Sequence, residues 1–352
     1  MSRKDRWLAA ATLGVLIGLM PIAVEAHVKW FEDPSKYPLR TDLIVSSRTT
    51  LLVAVCVGAI LVLAFLQRVL GDPYWPELGI FKRMAIGAPT LLAVQAGIGL
   101  VHAAVGPSLF APNLPLHRDA IGLGLATVEV LIAFSFITGI LDWLGAAALV
   151  LLVAPGMLLF PPVDLLDQFF WVGIAVVILV IGRVAVEAGQ PRPWFERRSR
   201  AWSPRAVALL RVTAGIGIIV SALSEKIWDP AIGEAFLAHH PQFNFMHTYL
   251  GINWFTDSRF VLAAGIAEAV IGVLLASGLL TRMVIVGMWL PFNITVPFLP
   301  PQELLGHLPI FGIMYFLLVH GAGLAPGESL DKDALPGSPR AHPGAGAARA
   351  RS

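Results

Sequence analysis

The sequence predicts an all-α fold: a polytopic helical membrane protein built as a tandem parallel repeat of a four-helix bundle, with an N-terminal signal and one preceding spanning helix. Two observations lead to this prediction. Hydrophobic residues make up 57% of the 352 residues, charged residues only 14%, and the mean hydropathy is +0.75, so lipid must solvate much of the surface. Apolar stretches of about 20 residues, the length that crosses a bilayer as a helix, recur along the chain.

The charge balance argues against nucleic acid as a partner. The formal net charge is +2, and the basic residues are divided among short loops instead of forming one patch. Their placement therefore indicates membrane topology. The single cysteine, Cys56, lies inside an apolar run, so the sequence offers no disulfide framework and no thiolate metal cluster. The lipid bilayer is the first partner that the sequence implies.

The start of the chain has the pattern of a secretory signal. Basic residues precede an apolar run from Trp7 to Val24, and Val24-Glu25-Ala26 places small or aliphatic residues where a signal peptidase reads them. We expect residues 1–26 to be removed, so that the mature chain begins at His27. The alternative is an uncleaved anchor helix. Residues 27–83 then hold an exported N-terminal segment and the first spanning helix.

Nine spanning helices are predicted after the signal. They are Thr49 to Leu66, Met84 to Val105, Ala120 to Ile140, Trp143 to Phe160, Leu165 to Gly182, Ala206 to Leu223, Phe260 to Leu280, Met283 to Leu299 and Glu303 to Gly321. The most basic loops lie on the side of the N-terminal basic cluster, which the positive-inside rule makes cytoplasmic. We expect a bacterial inner (plasma) membrane protein with a periplasmic mature N-terminus, a cytoplasmic C-terminus and a disordered tail at 332–352.

Two parts of the chain resemble each other at a constant offset that becomes longer once, at an insertion around His239 to Phe255. Leu91, Gly97, Gly99, Pro112, Glu129 and Gly139 correspond to Leu209, Gly215, Gly217, Pro230, Glu268 and Gly278. Acidic and proline landmarks are rare in membrane helices, so we interpret the match as a duplication. The first unit (84–190) and the second unit (204–331) each hold an even number of spans, which gives both the same orientation. The paired glycines predict close packing of the first helix of each unit.

Both units place a carboxylate inside a spanning helix, Glu129 in the first and Glu268 in the second. Such acids are energetically costly, so both are candidate catalytic residues for proton transfer to a quinone or a coupled substrate. The alternative is a structural hydrogen bond to a neighbouring helix, with Arg211 or Asn293 as the partner.

The third helix of each unit contains proline at related depth. Pro155-Gly156 lies in the first unit, and Pro291 and Pro297 flank Asn293 in the second. We expect interrupted helices that line a binding site, with Asn293 contacting the substrate. The alternative is a proline kink whose freed backbone groups are satisfied by neighbouring helices.

Histidines and acids gather in the loops predicted to be periplasmic. His27 at a mature N-terminus offers both its amine and its ring to copper, and His307 follows Glu303 by four residues on one helix face. His27, His307 and Glu303 are therefore candidate metal ligands, with ordinary loop histidines as the alternative. The insertion around His239 to Phe255 is interpreted as an interfacial cover over the second unit, or as a lid.

The second unit resembles the DoxX family of small four-helix bacterial membrane proteins. The resemblance rests on Arg211 in "LLRVTAGIG", Lys226 and Pro230 in "SEKIWDP", Glu268, Gly278 and Arg282 in "AEAVIGVLLASGLLTR", and a glycine-rich close from Gly321 to Asp331. The first unit departs from the family pattern, because Ala93, Ser108 and Asp142-Trp143 replace the arginine, the lysine and the Thr-Arg pair. We therefore expect any activity in the second unit, with the first as a packing partner or a degenerate half-site.

The resemblance implies redox chemistry, because the family is named for a membrane component of thiosulfate:quinone oxidoreductase. Our leading hypothesis is a membrane subunit in quinone- or sulfur-linked redox chemistry, with a periplasmic or membrane redox partner. Its candidate residues are Glu268, Glu129 and Arg211 for catalysis and Asn293, Lys226, Glu225 and Arg282 for substrate binding, with quinone or copper as the candidate cofactor. Two alternatives stay open: a transporter or copper-handling permease, and a non-catalytic scaffold for an exported partner.

Overall fold

The computed structural model describes residues 28–70, 79–182, 196–295 and 301–323. In these ranges the chain is helical and forms no strand. The α-helices are α1 (Ser47–Leu70), α2 (Gly79–Val105), α3 (Ala120–Thr138), α4 (Asp142–Leu159), α5 (Pro162–Asp167), α6 (Phe170–Val180), α7 (Glu196–Ala222), α8 (Pro230–His239), α9 (Phe245–Thr248), α10 (Asp257–Ser277), α11 (Thr281–Thr295) and α12 (Pro301–His320).

Six helices in the described ranges are long and apolar enough to cross a membrane. These spans are Ser47–Val69, Gly87–Val105, Ala120–Thr138, Asp142–Leu159, Trp202–Ile227 and Asp257–Ser277, and two shorter apolar helices are Phe170–Val180 and Leu304–His320. The prediction of an all-α, multi-pass membrane protein is therefore confirmed. The first of these spans is only 11% buried inside the protein, so most of its apolar side chains face lipid.

The helices of the two units form a closed ring. In the first unit α2 packs on α3, α3 on α4 and α4 on α6, and in the second unit α7, α10, α11 and α12 follow the same order. The units meet twice, because α6 packs on α7 and α12 packs on α2. The last helix of each unit thus contacts the first helix of the other. The arrangement is unchanged when the units are exchanged, which supports the duplication that the sequence predicts.

Unusual backbone angles also recur at corresponding positions. The φ angles are 77° at Gly139 and 83° at Gly278, 53° at Leu141 and 51° at Leu280, and 74° at Gly182 and 79° at Gly321. The left-handed region suits glycine, but it is strained for leucine. Both units therefore hold the same strained turn between their second and third helices.

The predicted close packing at the paired glycines is confirmed. A Cβ atom at Gly97 would lie 2.9 Å from the carbonyl oxygen of Ala133 on α3, and one at Gly215 would lie 2.6 Å from that of Gly272 on α10. Gly217 faces the other unit, because its Cβ would lie 2.8 Å from the carbonyl oxygen of Asp167 on α5. These glycines allow helix backbones to approach each other within contact distance.

The third helices are continuous, so the prediction that proline interrupts them is wrong for the described residues. α4 runs through Pro155, and α11 runs through Pro291 and the backbone of Asn293, while Pro297 lies outside the described residues. An internal proline removes one backbone hydrogen bond, which a membrane helix tolerates when neighbouring helices enclose it.

The fourth helix of the first unit is divided, although the sequence predicts one helix from Leu165 to Gly182. α5 ends at Asp167, and the backbone N–H groups of Gln168 and Phe169 donate to carbonyls three residues back in a tight turn before α6. Hydrogen bonds of this spacing close a narrower turn than those of an α-helix. As a result, α5 lies beside the end of α7.

A second, smaller core lies at the end of the bundle that carries residues 28–46, 106–119 and 228–256, called here the loop-rich end. It contains Val28, Ile232, Phe236, Leu237, Phe243, Phe255, Phe260, Val261 and Ala264. The insertion thus packs over the start of α10 and against the N-terminal segment. Its outer side exposes Tyr249, Leu250 and Trp254.

Replacing Gly215 by alanine is expected to destabilise the protein. The new methyl group would collide with the backbone of α10, and overpacking of this kind costs about 1–3 kcal/mol. The matched control is Gly124→Ala on α3, where a Cβ meets nothing within 4 Å, so the helix gains stability or stays unchanged. Thermal unfolding in detergent checks both variants, and equal melting temperatures would contradict the close contact.

Candidate functional site

The first helix of the second unit ends in a widened turn. α7 continues directly into a π-helical turn, Leu223–Ile227, before the chain reaches α8. Single π-turns within α-helices occur frequently at functional sites. This turn carries Ser224, Glu225 and Lys226, whose exposures are 3%, 0% and 1%. It forms the last turn of a candidate membrane span.

Lys226 lies between two carboxylates. Its Nζ is 3.0 Å from Oε2 of Glu268 on α10 and 3.7 Å from Oε2 of Glu225. A glycine makes the approach possible, because a Cβ at Gly265 would lie 2.8 Å from the Cβ of Lys226. Glu268 follows Gly265 by three residues on the same helix face. The pairing joins the end of α7 to the middle of α10.

The N-terminal segment supplies a second cation. Its first described residues, Val28–Trp30, form a 3₁₀ turn at the loop-rich end. The backbone N–H of Val28 donates to Oε2 of Glu225 at 2.9 Å. The ammonium of Lys29 donates to Oδ1 of Asp164 at 2.8 Å and to Oγ of Ser224 at 3.0 Å. Lys29 therefore links α5 of the first unit to the π-turn of the second.

Trp30 fixes the segment on two further elements. Its indole Nε1 donates to Oδ1 of Asn113 at 3.1 Å, and its ring centroid lies 4.8 Å from that of His307. A Cβ at Gly306 would lie 2.6 Å from the indole ring. The segment thus contacts both units at the loop-rich end.

Electrostatics favour a charged Lys29. Burial alone opposes the charged form of its ammonium. The carboxylates of Glu225, Asp167 and Asp164 outweigh burial, and together they raise the pKa of Lys29 above its ordinary value of 10.5. These groups belong to an ion cluster that consists of Lys29, Asp164, Asp167, Ser224, Glu225, Lys226 and Glu268. Among the described residues this cluster holds four carboxylates and two ammonium groups.

The corresponding acid of the first unit is satisfied differently. Glu129 is 0% exposed, and its Oε1 accepts the backbone N–H of Phe110 at 2.6 Å. Its Oε2 is buried without a hydrogen-bond partner in the described part of the chain. Ser108 stands where the second unit has Lys226, so a backbone amide takes the place of the ammonium.

Arg211 and Arg282 lie at the opposite end of the bundle, where they cap helices. Arg211 donates to the carbonyls of Leu275 and Ala276 at the end of α10 and to that of Ala322. Arg282 donates to two carbonyls in the last turn of α12. Cations at helix C-termini satisfy free carbonyls and the helix dipole. Arg211 lies about 22 Å before Lys226 along α7 and donates to backbone carbonyls. It is therefore not the hydrogen-bond partner that the structural alternative offered for Glu268.

The predicted metal ligands are only partly placed by the structure. His307 is 2% exposed and packs on Trp30, whereas His27 and the side chain of Glu303 lie outside the described residues. The described ranges contain no group of three or more His, Cys, Asp or Glu residues arranged to hold a metal ion. The side chain of Asn293, predicted to bind substrate, also lies outside the described part.

The structure thus brings together three predicted site residues, Glu225, Lys226 and Glu268. It adds four that the sequence did not single out as site residues: Lys29, Asp164, Asp167 and Ser224. A signal for Lys29 exists in hindsight. A lysine flanked by Val28 and two aromatic residues in "VKWF" is a charge within an apolar segment, which requires a partner when buried. Ser224 carries no comparable signal, because serine is ordinary in membrane helices.

Comparison of this chain with protein-family models, with curated proteins and with solved structures found no match.

Removing the Lys226 charge is expected to destabilise the protein strongly. Lys226→Met leaves Glu268 and Glu225 buried without their ammonium, and breaking a buried pair in this way costs about 3–5 kcal/mol. Adding Glu268→Gln to the same chain removes one uncompensated charge, so the double variant should unfold at a higher temperature than Lys226→Met alone. A double-mutant cycle of melting temperatures measures the coupling, and purely additive effects would count against the ion pair.

Asp229, just beyond the π-turn, should make stability depend on pH. Burial raises the pKa of Asp229 from 3.8 to about 6, against the opposing effects of nearby backbone N–H groups and of Lys29 and Arg40. The folded protein therefore keeps this proton at a pH where the unfolded chain has lost it, and stability contributed by Asp229 falls as the pH rises toward 6. Asp229→Asn should raise the melting temperature at pH 8 but not at pH 4. An equal change at both values would contradict the assignment.

Proposed function

We propose that the protein is a DoxX-like membrane protein that exchanges protons at the ion cluster during quinone- or sulfur-linked redox chemistry. The observation that carries the proposal is the position of Lys226, buried between Glu225 and Glu268 where a spanning helix changes into a π-turn. Ionisable side chains at membrane depth are costly, and they mark proton or substrate paths. A buried ammonium between two acids fits this description.

The composition of the ion cluster favours proton uptake. With every group ionised, the four carboxylates and two ammonium groups of the cluster would carry two excess negative charges in a largely buried site. Burying net charge is unfavourable, and binding a proton relieves it. Reducing a quinone to a quinol takes two electrons and two protons, whereas joining two thiosulfate ions into one tetrathionate ion releases two electrons and no protons. A cluster that binds protons can therefore supply the protons that the electron donor does not provide.

Glu268 is the acid that we assign to proton transfer toward the quinone. Its side chain is 16% exposed, whereas that of Glu225 is fully buried. Lys226 holds the Glu268 carboxylate in place and stabilises its charged form between transfers. Glu225, which accepts the Val28 N–H, positions Lys226 from the other side. Glu129 serves as a structural acid in this proposal, because it holds the backbone of Phe110.

The DoxX-like part of the proposal is supported by the placement of the motif residues, which form two groups at opposite ends of the bundle. Arg211 covers Gly278 and Arg282 covers Gly321: Cβ atoms at these glycines would lie 2.9 Å and 3.3 Å from the guanidinium carbons. Each arginine–glycine pair caps a helix end. Lys226 and Glu268 form the ion pair at the opposite end, so one set of motif residues holds the scaffold and the other forms the site.

The transporter alternative has less support. It depended on interrupted third helices in both units, and these helices are continuous through Pro155 and Pro291. The ring of helices is instead joined at the loop-rich end by Lys29 and Trp30, which tie the two units together. Rocking of one unit against the other would have to break these contacts.

Glu268→Gln is expected to slow quinone reduction by about 100-fold or more, because positioned acid–base groups typically contribute 10²–10⁴-fold. The assay follows ubiquinone absorbance in proteoliposomes supplied with thiosulfate or sulfide. Asp33→Asn, which alters an exposed acid of the N-terminal segment, serves as the matched control and should keep the wild-type rate.

Two outcomes would count against the proposal. Either the wild-type protein binds no quinone and reduces none with these donors, or folded Glu268→Gln protein turns over at the wild-type rate. The scaffold alternative would be favoured instead if a partner protein co-purifies tightly and the complex is unaffected when Glu129 and Glu268 are replaced.

A further inference from the structure

The insertion exposes three large apolar side chains in one short stretch. Tyr249, Leu250 and Trp254 are 66%, 61% and 65% exposed. The residues on either side of this stretch are packed into the protein, since Phe243 and Phe255 are buried in the smaller core. Residues 249–254, the insertion tip, therefore present an apolar surface to their surroundings.

Hydrogen bonds hold the insertion tip at a fixed place. The Nδ2 of Asn244 donates to the carbonyl of Phe255 at 3.2 Å and to Oδ1 of Asp257 at 2.7 Å, so one amide joins the two ends of the loop. Midway along the loop, Gly251 has a φ of 64°, which glycine adopts without strain. The exposed side chains thus belong to a closed loop that is attached to the start of α10.

The insertion tip lies at the level where α10 enters the membrane. α10 is a candidate span of 21 residues, and its length of about 31 Å matches a hydrocarbon core of about 30 Å. Trp254 precedes Asp257, the first residue of α10, by three residues, so their Cα atoms are at most about 11 Å apart. Arg259 in the first turn of α10 fixes the level of the Trp254 ring. Its guanidinium carbon lies 6.0 Å from the centre of that ring, and its Nη1 donates to the Trp254 carbonyl at 2.6 Å.

This level decides what surrounds the exposed side chains. A polar layer of about 5–8 Å on each side separates the hydrocarbon core from bulk water. Tryptophan and tyrosine are enriched in this layer, because each has an apolar ring and one polar group. An exposed leucine gains from contact with acyl chains, and an arginine beside the ring attracts the phosphates of anionic lipids. The composition of the insertion tip and of its neighbour Arg259 therefore matches the membrane interface.

We propose that the insertion tip is a membrane anchor, with Tyr249, Leu250 and Trp254 in the interfacial layer of the leaflet at the loop-rich end and Arg259 at the lipid phosphates. The bilayer around the spans is the partner of this surface, and the tip extends the lipid contact beyond the start of α10. The insertion is then a cover held by the smaller core on one side and by lipid on the other, and it does not swing freely as a lid. This inference is independent of the redox proposal, because it concerns only the placement of the insertion.

A nitroxide label at the insertion tip tests the proposal. Cys56 is the single cysteine of the chain, so Cys56→Ser gives a background in which Leu250→Cys carries the only label. The full-length protein is reconstituted in vesicles of phosphatidylethanolamine and phosphatidylglycerol. Power saturation of the EPR signal then compares collisions with oxygen, which concentrates in lipid, and with a water-soluble nickel chelate. Ser35→Cys in the same background is the matched control, because Ser35 is exposed at the loop-rich end between the exposed charges of Asp33 and Lys36.

We expect the ratio of oxygen collisions to nickel collisions to be several-fold higher for the label at position 250 than for the label at position 35. Equal ratios would place the insertion tip in water and overturn the proposal. Low collision rates with both reagents at position 250 would also overturn it, because they would mean that a partner protein or a second copy of this chain covers the tip. If Leu250→Cys does not fold, Trp254→Cys with the same control decides the question by the same ratio.

Discussion

The constraint on which this structure depends is the burial of the Lys226 ammonium at the end of a membrane-spanning helix. A charge in that position requires carboxylates within hydrogen-bond distance, and several features of the fold provide them. The π-turn turns Glu225 and Lys226 into the protein, Gly265 lets α10 approach with Glu268, and the divided fourth helix of the first unit carries Asp164 and Asp167 to the same place. The N-terminal segment closes the arrangement with Lys29.

The two units show how one scaffold supports two different environments for an acid. Glu129 and Glu268 occupy corresponding positions, and the same strained turn at Leu141 and Leu280 follows both helices. The difference lies at one corresponding position: Ser108 leaves Glu129 to a backbone amide, whereas Lys226 gives Glu268 a cation. Glu129 thus holds the backbone at Phe110, whereas Glu268 forms an ion pair.

Much of the fold follows from the sequence, because lipid solvation demands long apolar helices and close helix contacts demand glycine. The spans, the glycine contacts at Gly97 and Gly215 and the importance of Glu268 and Lys226 were predictable for this reason. The π-turn was not, since hydrophobic periodicity does not register one additional residue in an apolar helix. Two further features depend on tertiary packing, which local sequence patterns do not predict. These are the continuity of α4 and α11 through proline and the contacts of Lys29 with both units.

The closed ring of helices has a consequence for assembly. A chain with a single unit would leave two helix faces open, those of its first and last helices, and a second copy related by a two-fold axis would cover both with one isologous interface. Joining two units in one chain replaces that symmetric pair by a covalent one. The two units can then differ in sequence: the first has Ala93 and Ser108 where the second has Arg211 and Lys226, and it still closes the ring around the second.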